Sequence, residues 1–439
     1  MLVMKQIPLL FLLLGLFRPA GYAQPLTLEQ AIDSALRNAY SVQLAGYGLQ
    51  QAGEKMQEAR AGLKPRLFAA TDYRYYTNLP YQLLPAGVFG GPADTYKEAR
   101  FGVPHTINAN IQASYQLYNP VAKSAVLTAR AARDLSAAQL TRSREDIVLE
   151  VSNLYYNAQI LHSQISFLDS NLANSRQLLS LMSLLHEQRL ARGSDVDKVR
   201  LQLSQQEWQR ESALVQYRQA LHLLQFLMGT SPADSIQLLS VTEEQQDIVP
   251  DLKPMAEMQI TSSQLHLLER ERSAIEKSWL PSIQLNGLYG TSGFGKTGAN
   301  DFLNFYPLGY VGLQLSVPIY SGNAVKSRIR SKSLEAEKAR LQLRMLEEKN
   351  EVDRINNQYQ LQLAARNLPV IRQQIELAQS IYDKTLLQQK EGLATLTDIL
   401  LADTDLRDAQ KNYINALVAL RKAELEYKKL TGNLLKPQS

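Results

Sequence analysis

The chain has 439 residues, a formal net charge of +5 and no cysteine. Without cysteine it can form no disulfide, no thiolate metal site and no lipid anchor of the bacterial lipoprotein type. Its basic residues form no cluster, which removes support for nucleic-acid binding. With two Trp and ten Phe against abundant glutamine, alanine and leucine, the composition is typical of long packed helices.

The N-terminus predicts a secretory signal peptide over residues 1–23. It carries Lys5, an apolar run from Ile7 to Phe17 and a small-residue end at Ala23. The run is about 11 residues long, whereas a helix needs roughly 20 to cross a bilayer, and no later segment is long enough. We therefore expect an exported chain of net charge +3, which is +5 less Lys5 and Arg18, that enters a membrane without a transmembrane helix.

Two halves of the chain repeat one plan of helix, strand, loop, strand, long helix, turn and shorter helix. Leu63-Lys64-Pro65 is echoed by Trp279-Leu280-Pro281, and Leu227-Met228-Gly229 by Leu430-Thr431-Gly432. Ordered self-similarity of this kind indicates an internal duplication. The predicted division is a first repeat at 24–229, a linker at 230–255, a second repeat at 256–432 and a tail at 433–439, with outer loops at 77–106 and 291–307 and hairpin turns near Gly193 and Gly392.

Four predicted strands, two in each repeat, alternate between apolar and polar residues. Four strands of about ten residues with two chemically different faces suit a transmembrane barrel. An ordinary half-buried antiparallel sheet alternates identically, so the strands alone leave both structures open. The clearest apolar faces are Ile107, Ala109, Ile111, Ala113, Tyr115 and Leu117, and Val311, Leu313, Leu315, Val317 and Ile319.

The helical segments carry coiled-coil seams with three-four spacing. The longest segments, about 121–190 and 323–390, could each extend for roughly 100 Å, and leading helices are expected at Leu28–Ala61 and Ala256–Ser278. The seam residues are Leu154, Ala158, Leu161, Ile165, Leu168, Leu172, Ser175, Leu179 and Met182 in the first half, and Leu361, Ala364, Leu368, Ile371, Ile375, Ala378 and Tyr382 in the second.

A membrane barrel of four strands requires more than one chain. The smallest closed membrane barrels have eight strands, and an open sheet edge in lipid leaves backbone groups unsatisfied at several kcal/mol each. Two copies would give eight strands around a filled interior, and three would give twelve strands around a lumen. A conduit needs three.

The chain resembles the TolC-like outer-membrane factors over its whole mature length, from Thr27-Leu28-Glu29-Gln30-Ala31 to Leu430-Thr431-Gly432. The strongest local similarity is Glu391-Gly392-Leu393-Ala394-Thr395-Leu396-Thr397-Asp398. The resemblance implies a homotrimer whose 12-stranded β-barrel, four strands per chain, is continuous with a periplasmic α-helical coiled-coil tunnel. It also implies an exit duct of a tripartite efflux or type I secretion system, set in outer-membrane lipid and working with a periplasmic adaptor and an inner-membrane pump.

The same resemblance assigns roles to four residues. Gly193 and Gly392 would form the tip turns onto which the adaptor docks, and Asp197 and Asp398 would lie near the constriction of the closed tunnel. Each has a simpler explanation, because a glycine there also fits a left-handed helix C-cap and an aspartate fits a capping or solvated first-turn acid.

The gate of the family does not transfer intact to this chain. In TolC itself a tyrosine lies three residues before the second tip glycine and an arginine two residues after it. Those positions are Gln389 and Ala394 here, and the second acidic position, three after Asp398, is Leu401. We therefore expect closure to rely on helix packing and on other polar partners, with Arg189 and Arg192 as candidates.

The sequence does not support an enzymatic function. Gly290 to Thr297 matches the phosphate-loop pattern, but the pattern needs a following helix and another strand is predicted there, so a surface hairpin loop explains the glycines. The five histidines are scattered without metal-ligand spacing, and we expect no cofactor and no metal. The remaining alternative is a periplasmic adaptor or coiled-coil scaffold, which also combines helical hairpins with β structure.

Overall fold

A computed structural model describes residues 25–90, 92, 94–231, 236–239, 252–296, 298 and 304–435. The predicted signal peptide and most of the predicted linker lie outside these residues. The chain divides into two compact units. One comprises Met1–Gly48, Ala138–Ile260 and Leu343–Ser439, and the other comprises Leu49–Ala137 and Thr261–Gln342.

Seven α-helices lie in the described part of the chain. They are α1 (Leu28–Asn38), α2 (Tyr40–Ala61), α3 (Pro120–Glu187), α4 (Gly193–Met228), α5 (Ala256–Glu276), α6 (Ala324–Lys390) and α7 (Leu396–Leu430). Every predicted seam residue of α3 and α6 is buried or half-buried, which confirms the seams. Among the described helices none is long and apolar enough to span a membrane.

One predicted helix is in fact two. The run Leu28–Ala61 breaks at Ala39, whose backbone is extended at φ −61° and ψ 128°. Asn38 donates from Nδ2 to the carbonyl of Met228 at 2.9 Å. It packs so closely that a Cβ on Gly229 would lie 2.6 Å from its own Cβ. The sequence-based expectation of one helix was wrong, because α1 ends where it caps the carboxyl end of α4.

The predicted four-stranded sheet is present and antiparallel. It contains β1 (Arg66–Tyr75), β4 (His105–Tyr118), β5 (Ser282–Gly295) and β6 (Asn304–Ser316) in the order β1-β4-β5-β6. Its register confirms the two chemical faces. The rows through Asn108, Ser114 and Gln116 are mostly polar, and those through Ile107, Ile111 and Leu313 are mostly apolar. The rows through Asn110 and Gln112 lie on the polar face but carry Leu288, Leu308 and Tyr310 on β5 and β6.

The loops between the strands differ from the prediction. A separate hairpin of β2 (Tyr81–Pro85) and β3 (Tyr96–Arg100) lies inside the first loop. In the second repeat β5 continues to Gly295 and β6 begins at Asn304. Gly290 and Gly293 are therefore strand residues, and the hairpin-loop explanation of these glycines was wrong.

Contacts across the sheet explain both glycines. A Cβ on Gly290 would lie 2.3 Å from the carbonyl oxygen of Ala109, and a Cβ on Gly293 would lie 2.8 Å from the ring of Phe305. Real Cβ atoms do not come so close to other heavy atoms. At Gly290 the neighbour is backbone, so this position needs glycine for a close approach, whereas a Cβ at Gly293 requires the exposed ring of Phe305 to move.

Candidate functional site at the helical hairpin turns

The turn between α6 and α7 has the predicted left-handed glycine. Gly392 has φ 75°, and the amide of Leu393 donates to the carbonyl of Gln388 at 2.8 Å. This closes the C-terminus of α6 in the way that glycine favours. Leu393 itself is 81% exposed, so the turn presents an apolar side chain to its surroundings.

Asp398 is the third residue of α7 and forms a capping box with Thr395. The Thr395 amide and hydroxyl both donate to Asp398 Oδ2 at 2.7 Å, and the Asp398 amide donates to Thr395 Oγ1 at 3.3 Å. These bonds, first the side-chain one and then the backbone one, lower the pKa of Asp398. The carboxylate is therefore held ionised at an exposed helix start, and the capping explanation applies to it.

The turn between α3 and α4 is built differently. The left-handed residue is Arg189, with φ 63°, and Gly193 is already the first residue of α4. A Cβ on Gly193 would make only ordinary contact, 3.5 Å, with the ring of His186. The expectation that Gly193 supplies a left-handed cap was wrong, because the chain reverses before it.

The helix starts also correct the alignment of the two acids. Arg192 is the N-cap of α4 and Thr395 that of α7, which makes Asp195, not Asp197, the counterpart of Asp398. Burial agrees, because the next residues, Val196 and Ile399, lie in the same apolar cluster. The sequence analysis named Asp197 beside Asp398 and did not single out Asp195.

Asp197 itself lies two residues further along α4. Its side chain is 71% exposed and accepts a bond from Arg200 Nη1 at 2.9 Å, whereas Asp195 is only 24% exposed and meets Lys198 at 3.2 Å. Of the two aspartates at the start of α4, Asp197 is the one whose charge faces solvent in the single chain.

The starts of α4 and α7 are held together by one apolar cluster. It also includes α3 and α6, so all four long helices meet near their turns. Its buried members are Leu178, Met182, Val196, Val199, Ala378, Tyr382, Ile399, Ala402, Leu406 and Ala409.

A buried carboxylate lies inside this region, and the sequence analysis did not single it out. Asp403 is 2% exposed. It accepts a hydrogen bond from Gln202 of α4, and Arg407 Nε lies 2.9 Å from its Oδ2. Burial raises the pKa of Asp403 against the opposing effects of Arg407 and Gln202.

Tyr382 of α6 completes this polar centre. Its ring is 2% exposed, and burial, followed by the charges of Asp403 and Asp383, raises its pKa to about 12. The signal in the sequence was position, because Ile399, Asp403 and Leu406 follow the four-three spacing of a buried seam. An acid at a buried seam position indicates a specific polar partner, whereas an acid on a solvated face does not.

Arg189 and Arg192, the polar partners expected for closure, form no ion pair within the described residues. Arg192 caps α4 without a side-chain hydrogen bond. Gln389, at the position of the family's tyrosine, has a buried Oε1 without a hydrogen-bond partner among the described groups. No described group of three or more His, Cys, Asp or Glu residues could hold a metal ion.

Long antiparallel helix pairs, α3 with α4 and α6 with α7, occur together with a sheet that has one polar face, one apolar face and free outer edges on β1 and β6. This combination defines the class of channel-forming outer-membrane proteins built from a barrel and a helical tunnel. The chain belongs to the Outer membrane efflux protein family, whose sequence profile matches residues 31–230 and 242–433. This favours the channel over the adaptor alternative.

Individual relatives are distant in sequence and close in fold. The alkaline protease secretion protein AprF of Pseudomonas aeruginosa is 23% identical over 307 residues, which are 65% of this chain and 63% of that relative. The outer membrane protein VceC of Vibrio cholerae has 15% identity and a TM-score of 0.74, covering 92% of this chain and 96% of that one. CusC has 14% identity and a TM-score of 0.76, covering 95% of each chain.

Proposed function

We propose that this chain is one subunit of a homotrimeric outer-membrane exit duct, exported by its signal peptide and not lipidated. It would pass substrates from an inner-membrane pump and a periplasmic adaptor to the exterior. The observation that carries the proposal is the sheet of four strands with a polar face, an apolar face and two free edges. In lipid such edges must be paired, and three copies provide twelve strands and a lumen.

Exposed apolar stripes on the helices support assembly of several copies. On α6 they recur at seven- and four-residue intervals, on a face that differs from the buried seam, and α4 carries a shorter stripe. A second seam that is exposed in a single chain fits packing against a neighbouring subunit. The stripe residues are Met345, Val352, Tyr359, Leu363, Val370 and Leu377 on α6, and Leu201, Trp208 and Val215 on α4.

The helical hairpin turns are proposed as the periplasmic end of the duct. By the family resemblance, Gly193 and Gly392 mark the turns that an adaptor contacts, and Asp398 lies near the constriction. We place Asp197 there as well, because its charge faces solvent two residues from Asp195, the counterpart of Asp398. The ionised state of Asp398 and the exposure of Asp197 support a negative potential there.

The arrangement of the rest of the chain in the duct is also part of the proposal. We propose two tandem repeats, 24–229 and 256–432, whose strand connections face the exterior. The substrate class stays open, because AprF is named for protease secretion whereas the family is named for efflux. The proposal covers either cargo.

Oligomer mass and its dependence on the α6 stripe test the proposal. Detergent-solubilised protein should have the native mass of three chains, and release from membranes should need detergent. Val352→Asp with Val370→Asp should abolish the trimer, whereas Gln358→Asp, on an exposed face away from both seams, should not. A mass of one or two chains for the unmodified protein, or release by salt alone, would contradict the proposed duct.

A further inference from the structure

The polar face of the sheet has two halves of different chemistry. The half near the helices is lined by amides, which hydrogen-bond to one another along the wall. The half away from the helices, on β5 and β6, is apolar instead. The amide half consists of Ser114, Gln116, Gln284, Asn286 and Gln314, and the apolar half, called the aromatic patch below, begins in the row of Gln112 and consists of Leu288, Phe294, Tyr306, Leu308 and Tyr310.

Contacts place the aromatic patch on the polar face. Ser292 donates from Oγ to Asn108 Oδ1 at 2.8 Å, and Tyr306 is paired with Ser292 in the register, so Tyr306 shares the face of Asn108. The rings of Phe294 and Tyr306 are tilted at 47° with centroids 6.0 Å apart. The opposite face carries its own apolar set, so the patch is not part of it.

The patch is exposed. The side chains of Tyr306, Leu308 and Tyr310 are 55%, 52% and 56% exposed, and Phe294 is 41% exposed. On a wall that faces water, a contiguous apolar surface is unfavourable unless something covers it. It spans only two strands, about 5 Å apart, which suits a ring system better than a folded partner.

Polar groups border the patch in the same row of the sheet. Ser292 lies one strand away from Tyr306, and Asn108 lies two strands away, about 10 Å. Asn108 donates to Asp72 at 3.2 Å, and Asp72 pairs with Arg74 at 3.0 Å. A ligand stacked on the rings could therefore place a hydrogen-bonding group on these residues. The π faces of the rings would also attract a cationic ligand.

We propose that the aromatic patch is a transient binding site for planar aromatic amphiphiles moving through the duct. This rests on the proposed function, because it requires the polar face to line the lumen. Stacking on Phe294 and Tyr306 holds the ring system and Asn108 holds its polar end, whereas the rows through Ser114 and Gln116 offer no such surface. Aromatic compounds would then pause in the outer half of the duct while non-aromatic ones would not.

Because the chain has no cysteine, an introduced cysteine is the only thiol available in an experiment that measures protection from labelling. Ser292→Cys places a single thiol beside the patch, and Ser114→Cys places a matched thiol on the amide half of the same face. Trimers in nanodiscs are labelled with a charged, membrane-impermeant methanethiosulfonate, with and without rhodamine 6G as the planar aromatic cation and tetraethylammonium as the non-aromatic one. We expect rhodamine 6G to slow labelling at position 292 by at least about threefold, given the strength of aromatic contacts, and to leave position 114 unchanged.

Two further variants make the result specific. Phe294→Ser with Tyr306→Ser should abolish the protection, Tyr306→Phe should keep it, and tetraethylammonium should protect neither site. Rapid labelling at 292 without protection by rhodamine 6G would contradict the proposed aromatic site but not the proposed duct. If the charged reagent labelled neither 292 nor 114, the polar face would not line a water-filled lumen. That result would contradict both the proposed duct and the proposed site.

Discussion

Gln202 of α4 donates a hydrogen bond from Nε2 to the carboxylate of Asp403 on α7, and the same oxygen of Asp403 lies 2.9 Å from Arg407 Nε. The two helices that leave the hairpin turns are thus joined by a buried polar bond within one apolar cluster. Buried polar groups of this kind are costly unless paired, and the best-attested use of one at a seam position is to fix helix register.

The first prediction concerns the pH dependence of stability at Asp403. Burial raises the pKa of this carboxyl in the folded chain. Between its unfolded and folded pKa values the folded state therefore binds more protons, and stability from this group rises as pH falls. Asp403→Asn removes the titration. The difference in Tm between wild type and the variant should shift in favour of wild type as pH falls from 7 to about 4.

Asp398 provides the control with the opposite sign. Its pKa is lowered by Thr395, so its contribution is present above the unfolded pKa and is lost as pH falls through the folded value. For Asp398→Asn the Tm advantage of wild type should shrink with falling pH. Parallel slopes for the two variants would contradict the different surroundings assigned to the two acids.

The second prediction compares the two turn glycines. Gly392 has φ 75°, where an alanine costs about 1 kcal/mol, so Gly392→Ala should lower the Tm of the trimer by about 1 °C for a chain of this size. Gly193 has no positive φ and room for a Cβ, so Gly193→Ala should leave Tm unchanged. Thermal unfolding followed by circular dichroism measures both. Equal losses would show that the first turn depends on its glycine after all.

The third prediction concerns close approach within the sheet. Gly290→Ala would put a Cβ 2.3 Å from the carbonyl oxygen of Ala109, whereas a Cβ on Gly312 meets nothing within 4 Å. Gly290→Ala should therefore disturb the β4–β5 register and reduce the yield of detergent-stable trimer several-fold. Gly312→Ala, on the neighbouring strand, should assemble normally. The yield of trimer on a non-denaturing gel measures both variants. A normal yield for Gly290→Ala would contradict the close approach assigned to Gly290.

Periodicity was sufficient to predict the elements that depend on local pattern. The seams of α3 and α6 and the two faces of the sheet follow from spacing alone, because side-chain direction is fixed by the helix and by the pleat. The short hairpin β2–β3 was missed because five-residue strands carry little periodic signal. The break at Ala39 was missed because its cause is Met228, a residue distant in sequence.

The candidate site was predicted in part for a similar reason. The position of Asp398 was recognised from a family motif, but its hydrogen bonds to Thr395 needed coordinates. Asp403 was overlooked because its partner Gln202 lies 201 residues away, a separation at which sequence spacing says nothing about contact. The sequence analysis also named Asp197 beside Asp398, although the helix caps show that the equivalent residue is Asp195.

The last prediction concerns ion selectivity at the proposed constriction. In a trimer, Asp197 and Asp398 would supply six carboxylates in a confined space, where negative potential is poorly screened and should attract cations. Asn is the informative replacement, because its carboxamide keeps an acceptor for the Thr395 capping bonds while removing the charge. Asp197→Asn with Asp398→Asn should therefore leave the trimer intact and weaken cation selectivity or cation block in planar-bilayer recordings.

Asp195→Asn is the matched control for this measurement. Its carboxyl is only 24% exposed and lies 3.2 Å from Lys198, so removing its charge should change selectivity less than removing that of Asp197, which is 71% exposed. Unchanged selectivity and block in the double variant would mean that Asp197 and Asp398 serve only as helix-start residues. The constriction would then have to be sought at other groups near the turns. Gln389, whose buried Oε1 has no hydrogen-bond partner among the described residues, is the first to test.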